Sequence, residues 1–339
     1  MKISSMMSVL CSLIVLLGLA ACDDEGGVAP PEPPPQLNLQ IYQTPVLPDN
    51  DVYSVLVDSQ DRIWFGTAIG IVMIDGGQRT YFTQTQGLPN PVCRKIVEFN
   101  GKFWVATWGG GIGIYDGTSW TALKEEDGLL SNRVFDIAVD GTYLWFGTNN
   151  GVIRYDDDDQ LPMSSRWTNF SSKVKNKVVA AVEFAAGTTR GDELWFGSKF
   201  NWVSVWRLGT QQNIHYLPDG SAIPGTGVND IAYNAVDGTF WISFATEGVA
   251  SVNVDLSTWR HYTTEQGLPS MITHAVVVDQ DGVTWVGAQT GLGKWTGSKF
   301  VAYPRGSGLP EERIQSLYVD PDNNVWMGFI DGGAAKIIR

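Results

Sequence analysis

Residues 144–156 read LWFGTNNGVIRYD, and this stretch contains the pattern that decides the fold. Aromatic residues followed by Gly-Thr indicate a short buried strand, Asn-Asn-Gly indicates a tight turn, and the apolar run after it predicts a second strand. Related segments occur at residues 63–75, IWFGTAIGIVMID, and at residues 279–287, DQDGVTWVG. The chain is therefore built from an internal repeat with a tryptophan on one of its strands.

Seven tryptophans occupy this place, at intervals of 40, 41, 50, 46, 44 and 41 residues. They are Trp64, Trp104, Trp145, Trp195, Trp241, Trp285 and Trp326. Such intervals are typical of propeller blades, and no helical period occurs in the body of the chain. The sequence therefore predicts an all-β protein, a seven-bladed β-propeller with four-stranded antiparallel blades.

The first repeat predicts four strands, here lettered a to d, at Val52–Val57, Ile63–Thr67, Ile71–Asp75 and residues 80–83. Acidic a–b turns at Asp58, Asp279 and Asp320 have the chemistry of tight hairpins. An alternative interpretation is a calcium site, but one side of a hairpin cannot supply the six or more oxygens that calcium requires.

The last repeat lacks a fourth strand, because the chain ends soon after residues 334–338. Residues 39–42, LQIY, followed by Leu47-Pro48, resemble residues 259–262, WRHY, followed by Leu268-Pro269. We therefore expect the N-terminal strand to complete the last blade and close the ring, so that residues 37–339 form one domain.

The N-terminus combines Lys2, an apolar stretch over residues 6–19 and the sequence LAAC ending at Cys22. It resembles a lipoprotein signal peptide, which implies that residues 1–21 are removed and that Cys22 carries lipid. The alternative is an ordinary secretory signal cut after Ala21. Residues 22–36 are acidic and proline-rich, which predicts a disordered tether.

Localisation is predicted from the same segment. The acidic cluster behind Cys22 resembles the surface-export signal of lipoproteins in Bacteroidetes-type bacteria, whereas Asp23 resembles an inner-membrane retention signal of enterobacteria. We expect a lipid-anchored protein of the bacterial cell envelope, periplasmic or at the cell surface, with the outer membrane favoured.

Composition limits the partners. The net charge of −13 opposes binding to phosphate backbones, so we expect no nucleic-acid partner. Removal of the signal peptide and lipidation of Cys22 would leave Cys93 as the one free thiol, which cannot form an internal disulfide.

The repeats at residues 144–156 and 279–287 resemble the two-component regulator propeller repeat. The resemblance implies an extracytoplasmic sensor propeller, of the kind found in bacterial hybrid histidine kinases, many of which are similar to regulators that bind oligosaccharides. Because no transmembrane helix or kinase follows the repeats in this sequence, we expect ligand binding without direct phosphorelay.

Strand a of each blade is expected to line the central channel. Alignment on Val52, Val92, Val134, Val178, Val228, Ile272 and Ile314 places a polar ring two residues later and an apolar ring four residues later. The polar ring is Ser54, Arg94, Asp136, Ala180, Asp230, His274 and Ser316. The apolar ring is Leu56, Ile96, Ala138, Val182, Ala232, Val276 and Tyr318.

Arg94, Asp136, Asp230 and His274 are the predicted ligand-binding side chains, suited to hydroxyl or acidic groups. The alternative is that Arg94 pairs with the acids and the ring is structural. Trp108, Phe200 and Trp202, in b–c turns, are a second candidate set, as platforms for sugars or peptide side chains.

The function predicted from these features is ligand binding on the face that carries the d–a and b–c loops. A protein-docking scaffold is one alternative. Another is a metal-dependent lyase, similar to the virginiamycin B lyases, with His274 as general base. The sequence predicts no cofactor, no metal site and no catalytic residue.

Blade 4 has insertions at residues 185–192 and 211–227. Extra length on a regular scaffold indicates either a functional loop or a position that tolerates added residues.

Overall fold

The computed structural model describes residues 33–200, 202–216, 227–253 and 258–339. Within these ranges the strands form seven antiparallel sheets of four strands each, which confirms the predicted blade number. The predictions for residues 1–21, for Cys22 and for most of residues 22–36 lie outside the described residues. The second insertion of blade 4 lies partly outside them.

Blades 1 to 3 each use four consecutive strands of the chain, paired in the order a, b, c, d. Strands are numbered in chain order. The first strand, β1 Leu39–Tyr42, belongs to blade 7, so blade 1 consists of β2 to β5. The bounds in blade 1 are β2 Val52–Val57, β3 Ile63–Thr67, β4 Ile71–Asp75 and β5 Gln78–Phe82. Blade 2 contains β6 Cys93–Phe99, β7 Lys102–Thr107, β8 Ile112–Tyr115 and β9 Trp120–Leu123. Blade 3 contains β10 Val134–Val139, β11 Leu144–Thr148, β12 Gly151–Tyr155 and β13 Trp167–Asn169.

Blades 4 to 6 repeat this arrangement. Blade 4 contains β14 Val179–Thr188, β15 Gly191–Ser198, β16 Val203–Arg207 and β17 Gln212–Tyr216. Blade 5 contains β18 Val228–Asn234, β19 Thr239–Phe244, β20 Val249–Asn253 and β21 Trp259–Tyr262. Blade 6 contains β22 Thr273–Val278, β23 Thr284–Ala288, β24 Gly291–Trp295 and β25 Phe300–Tyr303.

Blade 7 is completed by the beginning of the chain. It contains β26 Ile314–Val319, β27 Val325–Phe329, β28 Ala334–Ile337 and, as strand d, β1 Leu39–Tyr42. β1 pairs antiparallel with β28, from Leu39 opposite Ile337 to Tyr42 opposite Ala334, as the sequence predicts. The a strands of neighbouring blades contact one another around the ring, including β2 with β26, so the ring is closed.

Strand d of blade 1 begins earlier than the predicted residue 80. Gly76 and Gly77 both have positive φ, 51° and 92°, and form a two-residue turn that pairs Asp75 with Gln78. Two left-handed residues match the twist of a hairpin, so the ladder starts directly after the turn. Strand d therefore covers Gln78–Phe82.

The anchor tryptophans are all buried, which agrees with their predicted packing role. In four blades the indole N–H donates to the aspartate of the a–b turn, at 2.7–3.0 Å. These pairs are Trp64 with Asp58, Trp145 with Asp140, Trp285 with Asp279 and Trp326 with Asp320. Backbone amides donate to the other oxygens of these carboxylates, so the acids stabilise the a–b turns and hold the tryptophans.

Helical segments are short. One α-helical turn, Met163–Arg166, lies between β12 and β13, and single 3-10 turns are found in several loops. The 3-10 turns are Gln84–Gln86, Glu125–Asp127, Ser171–Lys173, Thr264–Gln266 and Arg305–Ser307. Among the described residues, no helix has the length and apolar character needed to cross a bilayer.

Candidate functional site

A β-bulge at the second residue of strand a occurs in all seven blades. A bulge leaves one residue unpaired and turns its side chain away from the regular pleat. The seven bulged residues are Tyr53, Arg94, Phe135, Ala180, Asn229, His274 and Gln315. All seven line one small cavity at the end of the channel, on the face of the d–a and b–c loops, and we call this cavity the mouth.

The register differs from the predicted alignment in blades 2, 4 and 6. Val92, Val178 and Ile272 precede strand a, and their carbonyls accept hydrogen bonds from the b–c turns. Cys93, Val179 and Thr273 take the first position instead. Arg94, Ala180 and His274 therefore occupy the bulge, one residue before the position of Asp136 and Asp230.

The corrected second ring lies just inside the mouth. It consists of Ser54, Lys95, Asp136, Ala181, Asp230, Ala275 and Ser316. The predicted polar ring thus combines residues from two levels of the channel. Asp136, Asp230, Ser54 and Ser316 keep their predicted level, and Arg94, Ala180 and His274 belong to the level above.

Asp136 and Asp230 connect neighbouring blades. Oδ2 of Asp136 accepts from the Val182 amide at 2.8 Å, and Oδ2 of Asp230 accepts from the Val276 amide at 3.0 Å. Each carboxylate also accepts from the amide that follows it in the chain. Both acids thus have a structural function, and Arg94 forms no ion pair with either.

The third ring consists of the residues that pair with the anchor tryptophans: Leu56, Val97, Ala138, Glu183, Ala232, Val277 and Tyr318. The predicted apolar ring is therefore wrong in blades 2, 4 and 6. Ile96, Val182 and Val276 point into the cores between blades instead of the channel. A glutamate stands in the channel in place of the expected valine.

Lys95 and Glu183 are the two charged channel residues that the sequence alignment missed. With Asp136 and Asp230 they line a cavity of about 270 Å³ below the mouth. The ammonium group of Lys95 lies 3.7 Å from Oδ1 of Asp136, and 43% of the Lys95 side chain is accessible to water. The channel interior therefore contains three acids, one lysine and room for water.

The electrostatics of this interior favour bound protons. Burial raises the pKa of Glu183 to about 8 and that of Asp230 to about 7, and the negative charge of Asp136 adds to both effects. Asp136 raises the pKa of Lys95. Within the part of the chain that is described, no group of three or more His, Cys, Asp or Glu side chains is arranged to hold a metal ion.

The mouth itself has a different charge. Arg94 and His274 line it, together with Lys199 from the b–c turn of blade 4, and Lys95, Asp136 and Asp230 of the second ring line its inner end. Burial lowers the pKa of Lys199 to about 8 and also lowers the pKa of His274. Nε2 of His274 lies 3.2 Å from the amide oxygen of Gln289. His215 and His261 lie on outer strands, as expected.

The three predicted aromatic platforms have different surroundings. Trp108 is 42% exposed, and the guanidinium of Arg94 lies 5.8 Å from its ring centre. Trp108 also packs edge-on against Phe135, another mouth residue, at 5.2 Å. Phe200 is 59% exposed but does not line the mouth, and Trp202 packs against His215 on the outer strand. Of these three predicted platforms, Trp108 is the one that lies beside the mouth.

The repeats can be compared with a known family. The sequence model of the two-component regulator propeller matches residues 46–68, 128–150 and 308–331, in blades 1, 3 and 7. This chain carries two-component regulator propeller repeats. Each matched segment runs from the d–a loop through strand a into strand b or the turn after it, which is the part of the blade that forms the mouth. Residues 279–287 of blade 6 lie outside the matched segments.

Solved structures of other propellers are similar in fold. The extracellular domain of a protein assigned as a hybrid two-component system of B. thetaiotaomicron is 20% identical, with a TM-score of 0.73 over 89% of this chain and 42% of that chain. Virginiamycin B lyase of Staphylococcus aureus is 14% identical, with a TM-score of 0.67 over 90% of this chain and 100% of the lyase.

A third similar structure is PorZ, a surface component of the type-IX secretion system of Porphyromonas gingivalis. It is 20% identical, with a TM-score of 0.63 over 86% of this chain and 46% of PorZ. The chain spans about two fifths of the B. thetaiotaomicron protein (42%). At these identities the likeness establishes the fold alone. The comparison with curated proteins gave no significant match.

Proposed function

We propose that this chain is an extracytoplasmic, sensor-like propeller that binds an oligosaccharide or another polar ligand at the channel mouth. The observation that carries the proposal is the ring of seven bulges, which directs seven chemically different side chains into one cavity. Hydrogen-bonding groups from Tyr53, Asn229 and Gln315 lie there beside the exposed ring of Trp108. A polar cavity next to an exposed aromatic surface suits a ligand with hydroxyl groups and an apolar face.

The proposed location is the cell envelope, with lipid on Cys22 as the anchor. The resemblance of residues 1–22 to a lipoprotein signal peptide supports it, and so does the fold shared with an extracellular sensor domain. The acidic, proline-rich composition of residues 22–36 would hold the propeller away from the membrane.

Binding is tested with the purified chain against a panel of neutral and acidic oligosaccharides. A ligand that binds the folded state raises the melting temperature. At a hundredfold excess over Kd, it adds about 2.7 kcal/mol to the free energy of unfolding. We expect at least one oligosaccharide to give a saturable shift that isothermal titration calorimetry reproduces.

Two substitutions on the same face localise the site. Trp108→Ala should weaken binding at least tenfold, since the Trp108 ring contacts the mouth residues Arg94 and Phe135. Phe200→Ala should leave binding unchanged, because Phe200 neither lines the mouth nor makes such a ring contact with a described mouth residue. A panel without any stabilising oligosaccharide, or a ligand equally insensitive to both substitutions, would contradict the proposal.

A second candidate is the docking of an envelope protein on the same face. Ile69, Trp108, Phe200 and Ile272 are exposed there, in b–c turns or directly before a strand a. Exposed apolar residues gathered on one face are typical of a protein contact. Phe200→Asp separates the two functions, because it would weaken docking of a protein and leave the binding of a small ligand at the mouth intact.

A further inference from the structure

The mouth concentrates positive charge in a strongly acidic protein. The chain has a net charge of −13, yet the mouth is lined by three cationic side chains, Arg94, Lys95 and Lys199, against two acids, Asp136 and Asp230. Arg313 precedes strand a of blade 7 and is near enough to lower the pKa of His274 electrostatically. Asp49 and Asp51, which precede strand a of blade 1, act electrostatically on Tyr53. Cations gathered in this way create a local field that favours a negative group.

Arg94 has an unused donor in this position. Its Nε–H is buried, and no group of the described chain accepts a hydrogen bond from it. The guanidinium instead lies near two rings, 5.0 Å from the centre of Tyr53 and 5.8 Å from that of Trp108. Buried polar groups in native proteins almost always have partners, and Arg94 lines the mouth, so its guanidinium has donor capacity to offer a ligand there.

Lys199 likewise has ammonium N–H donors that a ligand could use. Its ammonium group donates to Oδ1 of Asn229 at 2.8 Å and forms no salt bridge within the described residues. Asp230 is the acid that acts on it electrostatically, and the carboxylate oxygens of Asp230 already accept from two backbone amides. Asp136 and Asp230 also line this cavity, together with Lys95, and each acid accepts hydrogen bonds from two backbone amides. Among the described residues, Arg94 and Lys199 therefore face the cavity without a salt bridge to either acid.

The size of the mouth limits what can enter it. Its volume is about 80 Å³, which corresponds to roughly two or three water molecules. A carboxylate group fits such a space, whereas a whole sugar ring is too large for it. The remainder of a ligand would lie on the face above, where Trp108 offers an exposed ring.

We propose that the mouth binds the carboxylate of an acidic saccharide, with Arg94 and Lys199 as its two charged partners and Trp108 beneath the sugar ring. This inference rests on the proposed function, since it names the chemical class of the ligand for the same site. The guanidinium of Arg94 can present parallel N–H donors to a carboxylate, which a lysine cannot do.

The test compares digalacturonate with its dimethyl ester, which is uncharged and larger only by its two methyl groups, by isothermal titration calorimetry. We expect the acid to bind at least tenfold more tightly than the ester and to lose affinity as salt is raised. Arg94→Met should weaken binding of the acid about 10- to 100-fold, the range for hydrogen bonds to charged groups, and should not affect the ester.

Further variants keep the result interpretable. Lys199→Met should give a loss similar in kind if Arg94→Met fails to fold, and Arg94→Lys should give an intermediate affinity because it retains only the charge. Arg79→Met removes an exposed arginine of an outer strand and should leave binding unchanged. In parallel, acetate is titrated while the Nε–H resonance of Arg94 is followed by NMR, and a saturable shift is expected.

The outcomes separate the two proposals. Equal binding of acid and ester that still requires Trp108 would overturn the carboxylate inference and leave the proposed function standing. If no saccharide binds, the proposed function fails for this class. In that case the acetate titration decides the carboxylate inference. If acetate does not shift the Arg94 resonance, the inference is overturned as well. If acetate shifts it, the inference is supported for a carboxylate ligand of another class.

Discussion

Replacement of Glu183 by glutamine should make the protein more stable at alkaline pH. Glu183 lies inside the channel, where Oε1 accepts a hydrogen bond from the Tyr233 amide at 3.1 Å. Glutamine keeps an acceptor oxygen there and removes the charge. Burial raises the pKa of Glu183 from an ordinary 4.5 to about 8, so the folded protein holds this proton over a pH range in which the unfolded chain has lost it.

The sign and magnitude follow from that difference. Between about pH 4.5 and pH 8 the folded state binds more protons than the unfolded state, so the free energy of unfolding falls as pH rises through this window. At about 1.4 kcal/mol per pKa unit, the total fall due to Glu183 is about 5 kcal/mol. Asp230, with its pKa raised to about 7, contributes a fall of the same sign that ends nearer neutrality.

The assay is urea unfolding followed by tryptophan fluorescence at intervals between pH 5 and pH 9. Wild type and Glu183→Gln should be nearly equal in stability at pH 5, and the variant should be more stable by several kcal/mol at pH 9. The part of its remaining pH dependence that is due to Asp230 should end near pH 7. Glu126→Gln, which changes a carboxylate whose side chain is 71% exposed, is the matched control. Parallel curves for wild type and Glu183→Gln would refute the reasoning.

Three further results are expected. Asp320→Ala leaves the buried indole N–H of Trp326 without its acceptor and should lower the free energy of unfolding in urea by about 2–3 kcal/mol. Asp322 is exposed, so Asp322→Ala should lower it little. Equal effects would contradict the role of the turn acid. Digalacturonate affinity should fall as pH rises through about 8, because Lys199 loses its charge there, beside Arg94 and Asp230. Lys199→Arg should keep the affinity up to pH 9. If the affinity of this variant depends on pH as strongly as that of the wild type, Lys199 is excluded as the cause. Cys22→Ser should abolish incorporation of a radiolabelled fatty acid by growing cells, and a labelled variant would rule out Cys22 as the lipid site.

The fold was predictable because its signals are repeated and local. Each blade has a buried tryptophan, tight turns and short apolar strands, so an error in one repeat does not change the count. Ring closure was predictable for a related reason: residues 39–42 have the pattern of a strand d, and one blade lacked that strand. The first strand d was misplaced by two residues because the Gly76-Gly77 turn is tighter than the sequence pattern indicates.

The channel was less predictable because a one-residue slip moves a strand's side chains to other faces. In blades 2, 4 and 6 an apolar residue stands directly before strand a, and aligning on it hid Lys95 and Glu183. A better signal was present in the d–a loops. In five blades a buried leucine lies five residues before the first position of strand a: Leu47, Leu88, Leu129, Leu268 and Leu309. Blade 4 has no such leucine, so Glu183 could be located only from the structure.

A crystal structure of the protein soaked with digalacturonate tests the account most directly. It should show the bulges of all seven a strands and a carboxylate within hydrogen-bonding distance of the Arg94 guanidinium, with the sugar ring next to Trp108. A ligand bound elsewhere, or an Arg94 side chain turned inward and paired with Asp136, would contradict the proposal that the mouth is the binding site.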